Sequence, residues 1–414
     1  MNNVQLTAEQ QEIITKVMQG EGNYFITGPA GAGKSVVLKR LRTLMNKEGL
    51  SVGVCAPTGI AALHVGGQTI NSLLGIGPVK NQYIIPSGRE KRAMIQRLDV
   101  LIIDEVSMVG ADMLDHVDRT LKSVRDRRFE LFGGVRIVAF GDMYQLNPVN
   151  AEMPFKAVCW NLEKLELTKI HRQSDGPWKD ALEAMKRNEL TSEQIAWINE
   201  RVRIPNDAPR LCFRNADVDE WNNIKLEQIK GEEFTFYAVK GGTVEKWDTL
   251  KIKRNSTMPE VLKLKVGAKV MMLNNDAFGR WVNGSTAYVE SLTPYVQVRI
   301  NDEVHAVDIH SADLVEPVTV EVDNEDGTVT KKVQHRIVGY FRQYPMRLGY
   351  AVTVHKSQGM TLEQAEINLA SSDMEGLAYV AFSRIKSYDG MFLAHELKPF
   401  HINTNAGVKK FMNN

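Results

Sequence analysis

The chain has 414 residues, a length that usually needs more than one hydrophobic core, so we expect two or three domains. Its 43% hydrophobic and 24% charged residues are typical of a soluble globular protein. No apolar run is long enough for a membrane span, and the first residues lack the pattern of an export signal. The net charge of +1 weakens any argument for nucleic-acid binding from composition alone, and a nucleic-acid site would have to be a local groove.

Three cysteines (Cys55, Cys159 and Cys212) cannot all pair and have no spacing typical of a metal site. We expect them to be reduced and buried, which predicts a cytoplasmic location.

From the N-terminus to about residue 170, short apolar runs alternate with helical patterns, which predicts a parallel sheet covered by helices. The predicted strands are Tyr24–Ile26, Val52–Ala56, Val100–Ile103 and Val135–Phe140. Each strand is followed by a polar or glycine-containing turn. Since ligands of open α/β sheets bind at the carboxyl ends of the strands, we expect functional residues in these turns.

The first of these turns is a complete phosphate-binding loop, G-x-x-x-x-G-K-S, which precedes a helix predicted from Ser35 to about Asn46. Its glycines allow backbone N–H groups to surround phosphate oxygens, and the helix N-terminus adds a favourable dipole. Lys34 is expected to reach the β- and γ-phosphates of ATP, and the Ser35 hydroxyl to ligate Mg²⁺. The expected nucleotide-binding residues of the loop are Gly28, Ala30, Gly31, Ala32, Gly33, Lys34 and Ser35.

Further candidates for ATP chemistry lie beyond the other strands. Asp104 can hold Mg²⁺, directly or through water, and Glu105 can polarise the attacking water. Gln145 is placed to sense the γ-phosphate. Arg172 and Arg384 are candidate arginine fingers, although each alone also fits a surface or ion-paired residue.

Gln10 has two interpretations. It lies just upstream of the first strand and could read adenine, but Thr7 and Gln10 also fit a helix capping box. Spacing alone favours the capping box.

A second α/β region runs from about Leu165 to Val261 and from Pro345 to the end. Between them, short alternating strands with Asn-Gly and Asn-Asp turns predict a small inserted β-barrel. The expected strands are Lys269–Leu273, Thr286–Leu292, Val296–Ile300 and Val304–Ile309, with turns at Asn283-Gly284 and Asn301-Asp302. A further hairpin is expected at Val318–Val322 and Val329–Val333, turning at Asp326-Gly327.

In order, these segments resemble the motifs of the Pif-type helicases of superfamily one over nearly the whole chain. The matching motifs are Leu6–Gln10, Ala56–Ala62, Gly67–Leu73, Leu101–Met108, Val109–Gly134, Leu167–Arg172, Val352–Gly359 and Tyr379–Arg384. Two positions depart from the family: Asn71 stands where a histidine is usual, and Asn147-Pro148 where Pro-Pro is usual.

The resemblance implies an α/β fold of two RecA-like lobes, lobe one at residues 1–164 and lobe two at 165–264 and 343–414. An SH3-like β-barrel at 265–342 and a small wedge at about 74–92 would be insertions. The compact length is similar to that of bacterial or viral members, so a bacterial cell or its virus-infected state is the expected setting.

The same resemblance implies ATP-dependent movement 5′ to 3′ on single-stranded DNA, and unwinding of duplex or structured DNA such as G-quadruplexes. It favours adenine reading by Gln10, adds Gly359 to the nucleotide site, and makes Arg172 and Arg384 the fingers. The residues expected to contact DNA are Pro57, Thr58, Gly59, Thr69, Asn71, Ser72, Thr353, His355, Lys356 and Ser357.

We expect a monomer whose partners are single-stranded DNA and single-strand/duplex junctions, with single-strand-binding or replisome proteins as further candidates. Three alternatives stay open. A P-loop kinase or small-molecule NTPase predicts no stimulation by DNA. An ATP-switched recombination or loading factor would bind DNA without unwinding it, and a RecD-like subunit would carry extra N-terminal domains.

Overall fold

The computed structural model describes residues 6–76, 88–148, 150–169, 176–204, 206–242, 258–281, 284–323, 329–357, 360–370 and 375–413; for residues 60, 63, 314–323 and 329–338 it describes the backbone alone. The chain forms two compact units, unit 1 (Met1–Arg214 with Thr353–Asn414) and unit 2 (Asn215–Val352). The domain boundaries expected after residues 164, 264 and 342 stay predictions.

Unit 1 begins with a six-stranded, all-parallel sheet in the order β3-β2-β4-β5-β1-β6. Its strands are β1 (Tyr24–Thr27), β2 (Val52–Ala56), β3 (Gln68–Thr69), β4 (Val100–Ile103), β5 (Arg136–Phe140) and β6 (Glu163–Glu166). The four predicted strands are confirmed. The two edge strands, β3 and β6, were not predicted, because an edge strand need not carry a continuous apolar run.

The helices of this part are α1 (Ala8–Gln19), α2 (Lys34–Lys47), α3 (Gly59–His64), α4 (Ile70–Leu74), α5 (Arg89–Arg97) and α6 (Ala111–Arg125). Helix α2 places Val37, Leu41 and Met45 on one face at intervals of four residues, and all three are fully buried in the core that contains β1 and β5. Burying each such side chain stabilises the fold by about 1.5–3 kcal/mol. This packing fixes the start of α2 against the ends of the strands. Residues 77–87 of the expected wedge lie outside the described residues.

Unit 1 continues with α7 (Gly176–Arg187), α8 (Ser192–Asn199) and β7 (Arg210–Cys212). Helix α8 begins with a capping box formed by Thr191 and Gln194.

Unit 2 is mainly antiparallel. It contains α9 (Asn215–Glu227), β8 (Phe234–Tyr237), β9 (Val239–Gly242), β10 (Val261–Leu264), β11 (Lys269–Met272), β12 (Thr286–Ser291), β13 (Gln297–Ile300), β14 (Glu303–Ala306), β15 (His310–Asp323), β16 (Val329–Gln343) and β17 (Met346–Leu348). Five strands form a sheet in the order β14-β13-β12-β11-β17, and its alternate residues build one apolar core.

The strands expected for the inserted barrel are confirmed to within a few residues. Asn301 and Asp302 both have positive φ (48° and 66°), as a two-residue hairpin turn requires. The later hairpin is longer than predicted, since β15 and β16 pair along their whole lengths. Asn283 and the turn Asp326-Gly327 lie outside the described residues, and the SH3-like barrel itself stays a prediction.

The chain crosses back into unit 1 in β18 (Ala351–Thr353) and continues with β19 (Ala365–Ile367), α10 (Leu377–Ser383), β20 (Met391–Leu393) and α11 (Ala406–Asn413). Strands β7, β19 and β20 form a parallel sheet, and every residue of α10 is buried. Among the described residues no helix is long and apolar enough to span a membrane.

Candidate nucleotide site

The phosphate-binding loop has the backbone that its glycines predict. Gly31 and Gly33 have φ of 87° and 86°, in the left-handed region that favours glycine. Gly33 is the N-cap of α2, and no described side chain caps this helix end. The first N–H groups of α2 therefore point toward the loop, where they can bind an anion.

The Lys34 ammonium lies over this loop. It donates to the carbonyl oxygens of Gly28 at 2.6 Å and Pro29 at 3.1 Å. An ammonium has three donors, so it can hold these carbonyls and still meet a phosphate oxygen. Burial lowers the pKa of Lys34, and the nearby carboxylates of Asp142 and Glu105 oppose that shift.

Asp104 and Glu105 follow β4, as expected. Asp104 is buried, and its N–H donates to Cys55 O at 2.8 Å, which fixes the backbone at the sheet end. Burial, together with the neighbouring Glu105 carboxylate, raises the pKa of Asp104. Glu105 has φ 50° and ψ 44°, left-handed values that are uncommon for a side chain of this type. Its Oε2 is buried and has no hydrogen-bond partner among the described residues.

Gln145 and Arg384 meet directly, although 239 residues separate them. A terminal nitrogen of Arg384 donates to Gln145 Oε1 at 3.2 Å, and Arg384 Nε donates to Val380 O at 3.1 Å. Arg384 is only 2% exposed. Burial lowers its pKa, and the negative charges of Glu105 and Asp142 oppose that effect.

These residues line one cavity of about 480 Å³. The predicted residues that it brings together are Ala30, Gly31, Gly33, Lys34, Ser35, Glu105, Gln145 and Arg384. It also has four lining residues that were not predicted: Val36, Thr361, Glu363 and Lys386. Three of these four lie within four residues of Gly359 or Arg384 along the chain, so proximity to those motifs was the available signal. Arg172 and Gly359 lie outside the described residues.

Gln10 forms the capping box that its spacing predicted. Its backbone N–H donates to Thr7 Oγ1 at 3.3 Å, and its Oε1 accepts from the Thr7 N–H at 3.1 Å. Its Nε2 also donates to Ala32 O in the phosphate-binding loop at 3.4 Å. The structure thus places Gln10 against the loop, and adenine reading stays a prediction.

The residues around Glu105 fit a magnesium ion held mainly by phosphate. In the described part of the chain no cluster of three or more His, Cys, Asp or Glu forms a metal site of its own. Mg²⁺ usually takes one or two protein ligands and fills its octahedron with phosphate oxygens and water. Ser35 and Glu105, whose Oε2 has no described partner, line the cavity. Asp104 is buried directly before Glu105 and does not itself line the cavity; with Ser35 and Glu105 it would complete that limited set of donors.

The segments expected to contact DNA in the first lobe begin short helices. Thr58 Oγ1 accepts from the Ala61 N–H at 3.2 Å, and Thr69 Oγ1 accepts from the Ser72 N–H at 3.2 Å. Pro57, Thr58, Thr69 and Asn71 are half-buried, whereas Gly59 and Ser72 are exposed. Both hydroxyls therefore cap helices, and their contacts to DNA stay predictions.

The expected second-lobe segment divides into two groups. Thr353 and Ser357 are buried, and Ser357 Oγ donates to Val354 O at 2.8 Å, so both side chains serve the local fold. His355 and Lys356 are half-buried and present part of their surface to solvent. Burial lowers the pKa of His355. Of these four residues, the latter two are therefore the better placed for a direct contact.

Relatives with established names share this sequence along most of its length. A profile described as an AAA domain matches residues 5–207. The chain is 30% identical to the ATP-dependent DNA helicase Pif1 of Bdellovibrio bacteriovorus over 95% of this chain and 88% of that protein. It is 32% identical to human PIF1 over 94% of this chain, but it spans only 60% of the human protein.

Solved structures agree with the sequence match. The Pif1 helicase of Candida albicans has a TM-score of 0.82 at 27% identity, covering 99% of each chain. Bacteroides Pif1 bound to single-stranded DNA has a TM-score of 0.74 at 29% identity, covering 99% of this chain and 97% of that one. These matches extend the likeness from the phosphate-binding loop to both lobes, and the chain therefore belongs to the Pif1 family of superfamily-one helicases.

Proposed function

We propose that this chain is an ATP-dependent DNA helicase that moves 5′ to 3′ along single-stranded DNA and unwinds duplex or structured DNA. The observation that carries the proposal is the single cavity in which Lys34 and Glu105 meet Arg384. A P-loop alone would serve a kinase equally well. The distant arginine at the same cavity is typical of a site whose hydrolysis depends on the arrangement of two chain segments. A Bacteroides relative has been solved with ADP-AlF3 and single-stranded DNA, which supports the same assignment.

Each residue then has a role set by its place. Lys34 and the α2 N–H groups bind the β- and γ-phosphates of ATP, and Ser35 and Asp104 hold Mg²⁺, which supplies positive charge to the phosphate oxygens. Glu105 accepts a proton from the attacking water. Arg384, held by Gln145, neutralises the charge that develops on the γ-phosphoryl group. Arg172 keeps its predicted role as the first arginine finger, and Gly359 keeps its predicted role as a nucleotide contact.

DNA is held mostly by uncharged groups. The candidate contacts at residues 57–59, 69, 71–72, 353 and 355–357 are rich in hydroxyl, amide and backbone groups and include one lysine, Lys356. Such contacts hold the sugar-phosphate backbone without the tight binding of a broad basic field, which suits a protein that must step. Single-strand-binding proteins as partners and a cytoplasmic location stay predictions.

The assignment is tested with Lys34→Ala. ATP hydrolysis by the unchanged protein should rise when single-stranded DNA is added. In the variant the DNA-stimulated rate should be at least about 100-fold lower, because the Lys34 ammonium that contacts the phosphates is absent. Nucleotide-free binding of a labelled oligonucleotide should stay within about twofold, since Lys34 faces the nucleotide cavity. Lys47→Ala, which changes an exposed lysine at the other end of α2, is the matched control.

Direction is tested with partial duplexes that carry only a 5′ or only a 3′ single-stranded tail. The 5′-tailed substrate should be unwound in an ATP-dependent manner. Unwinding of only the 3′-tailed substrate would reverse the proposed polarity. Hydrolysis stimulated by DNA without strand separation would identify an ATP-switched DNA-binding factor instead.

A further inference from the structure

The hydroxyl of Tyr379 connects two parts of the nucleotide site. Tyr379 lies in α10, five residues before Arg384, and is 5% exposed. Its O–H donates to Asp142 Oδ2 at 3.3 Å, and its oxygen accepts from the Ala30 N–H at 3.5 Å. One hydroxyl therefore contacts both the phosphate-binding loop and the end of β5.

The carboxylate of Asp142, just after β5, accepts several hydrogen bonds. It is 1% exposed, and its Oδ1 accepts from the Tyr144 N–H at 3.1 Å. Its Oδ2 accepts from Gln145 Nε2 at 3.1 Å as well as from Tyr379. Three donors therefore converge on one buried carboxylate, and together they fix the plane of its carboxyl group.

The side-chain amide of Gln145 connects Asp142 to Arg384. Its Nε2 donates to Asp142, and its Oε1 accepts from Arg384 at 3.2 Å. Only this orientation of the amide satisfies both neighbours, because a carboxylate needs a donor and a guanidinium needs an acceptor. The hydrogen bonds thus form one continuous path from Ala30 through Tyr379, Asp142 and Gln145 to Arg384.

We propose that Tyr379 is a positioning residue whose hydroxyl, acting through Asp142 and Gln145, sets the place of Arg384 relative to the phosphate-binding loop. The inference rests on the proposed function, since it concerns the arginine that stabilises the transition state. Tyr379 does not line the nucleotide cavity, whereas Ala30, Gln145 and Arg384 do. Its effect on hydrolysis must therefore pass through these neighbours.

The hydroxyl, and not the ring, carries this role. Burial and the nearby Asp142 carboxylate raise the pKa of Tyr379 well above its ordinary value, so the group remains a donor across the working pH range. A phenylalanine would keep the buried ring and remove only the donor. Asp142 would then lose one of its three described donors and its fixed orientation. Gln145, which donates to Asp142, would lose its fixed position as well.

Tyr379→Phe tests this assignment. Because an arginine finger acts mainly on the transition state, kcat for DNA-stimulated ATP hydrolysis should fall about 10-fold, while KM for ATP changes less than about twofold. Tyr388→Phe is the matched control. It removes a hydroxyl that donates to Trp197 O at 2.7 Å in the same unit but outside the path. That variant should lower Tm without changing kcat.

The double variant Tyr379→Phe/Gln145→Ala separates positioning from a merely structural role. If the hydroxyl acts through Gln145, the double variant should have the kcat of Gln145→Ala alone, because the path is already broken. Independent, multiplicative losses would overturn the proposal, as would an unchanged kcat in Tyr379→Phe. Either result would leave the helicase assignment intact, since that assignment fails only if the unchanged protein shows no DNA-stimulated hydrolysis or no strand separation.

Discussion

Glu105 combines two unfavourable features that stability alone does not explain. Its backbone is left-handed at φ 50°, and its buried Oε2 has no partner among the described residues. Each feature costs on the order of 1–3 kcal/mol. Glu105 lines the same cavity as Lys34 and Arg384. Strain at such a position indicates that the conformation is kept for its chemistry.

We predict that Glu105→Gln lowers kcat for ATP hydrolysis by at least about 100-fold, because an amide cannot accept the proton of the attacking water. ATP binding should change little, since Gln has nearly the same size as Glu. The measurement pairs steady-state hydrolysis with equilibrium binding of a fluorescent ATP analogue. Equal losses in turnover and affinity would show that Glu105 serves binding instead.

Glu105→Gly provides the complementary measurement of stability. Glycine adopts the left-handed backbone without the Cβ strain and removes the buried carboxylate oxygen. These gains should exceed the extra entropy of the unfolded chain and raise Tm by about 2 °C, with hydrolysis lost. A lower Tm would show that the carboxylate stabilises the fold.

At the scale of elements, α10 joins the end of β5 through a close backbone approach. Its N-cap, Gly376, has φ 73°, and a Cβ at this position would lie 2.7 Å from Gln145 O and 2.9 Å from Tyr144 O. Beside it, Asn147 donates to Glu375 at 3.0 Å. Proline, which is usual in the family at position 147, has no side-chain donor, so this hydrogen bond is a feature of this chain.

We predict that Gly376→Ala lowers both Tm and kcat, because the added methyl group pushes the Gln145 backbone away and disturbs its contact with Arg384. Gly49→Ala is the matched control: Gly49 has φ 82°, and a Cβ added there would meet no described atom within 4 Å, so that variant carries the backbone strain without the clash. The Tm of Gly376→Ala should fall by at least about 3 °C more than the Tm of Gly49→Ala. Equal falls in Tm in the two variants would show that α10 can move away from the backbone of Tyr144 and Gln145 without a loss of stability.

Local patterns predicted most of the elements and the first half of the nucleotide site. The apolar runs located β1, β2, β4 and β5 to within a residue at each end, and the loop sequence located Lys34 and Ser35. Their signals are local, because a buried strand needs an apolar run and a phosphate loop needs its glycines.

The connections between distant segments could not be predicted in the same way. Tyr379 and Asp142 are 237 residues apart, and nothing in the spacing of either residue identifies its partner. Asp142 lies two residues beyond β5, in one of the turns where functional residues are expected, but a tyrosine in a fully buried helix resembles any core residue. For Thr353 and Ser357 the family resemblance implies DNA contacts, which stay predictions; the resemblance did not reveal that the fold buries both side chains.

At the scale of the whole molecule, the charge limits how DNA is held. Opposite charges nearly balance, with 51 basic and 50 acidic residues. The candidate DNA contacts include one lysine, Lys356, and a histidine, His355, whose pKa is lowered by burial. A lowered pKa keeps His355 neutral at pH 7, so it adds no cation there. Binding should therefore release few counterions.

We predict a shallow salt dependence for binding of single-stranded DNA, with a slope of log K against log salt no steeper than about −3, since each neutralised phosphate contributes about −0.7. Lys356→Ala should flatten the slope by about 0.7, and the control Lys47→Ala should leave it unchanged. Between pH 8 and 7 the slope should stay constant, because burial lowers the pKa of His355 below its ordinary value and the imidazole adds no cation in that range. A slope of about −5 or steeper would show that many basic residues contact the phosphates, and it would contradict DNA binding mainly through uncharged groups.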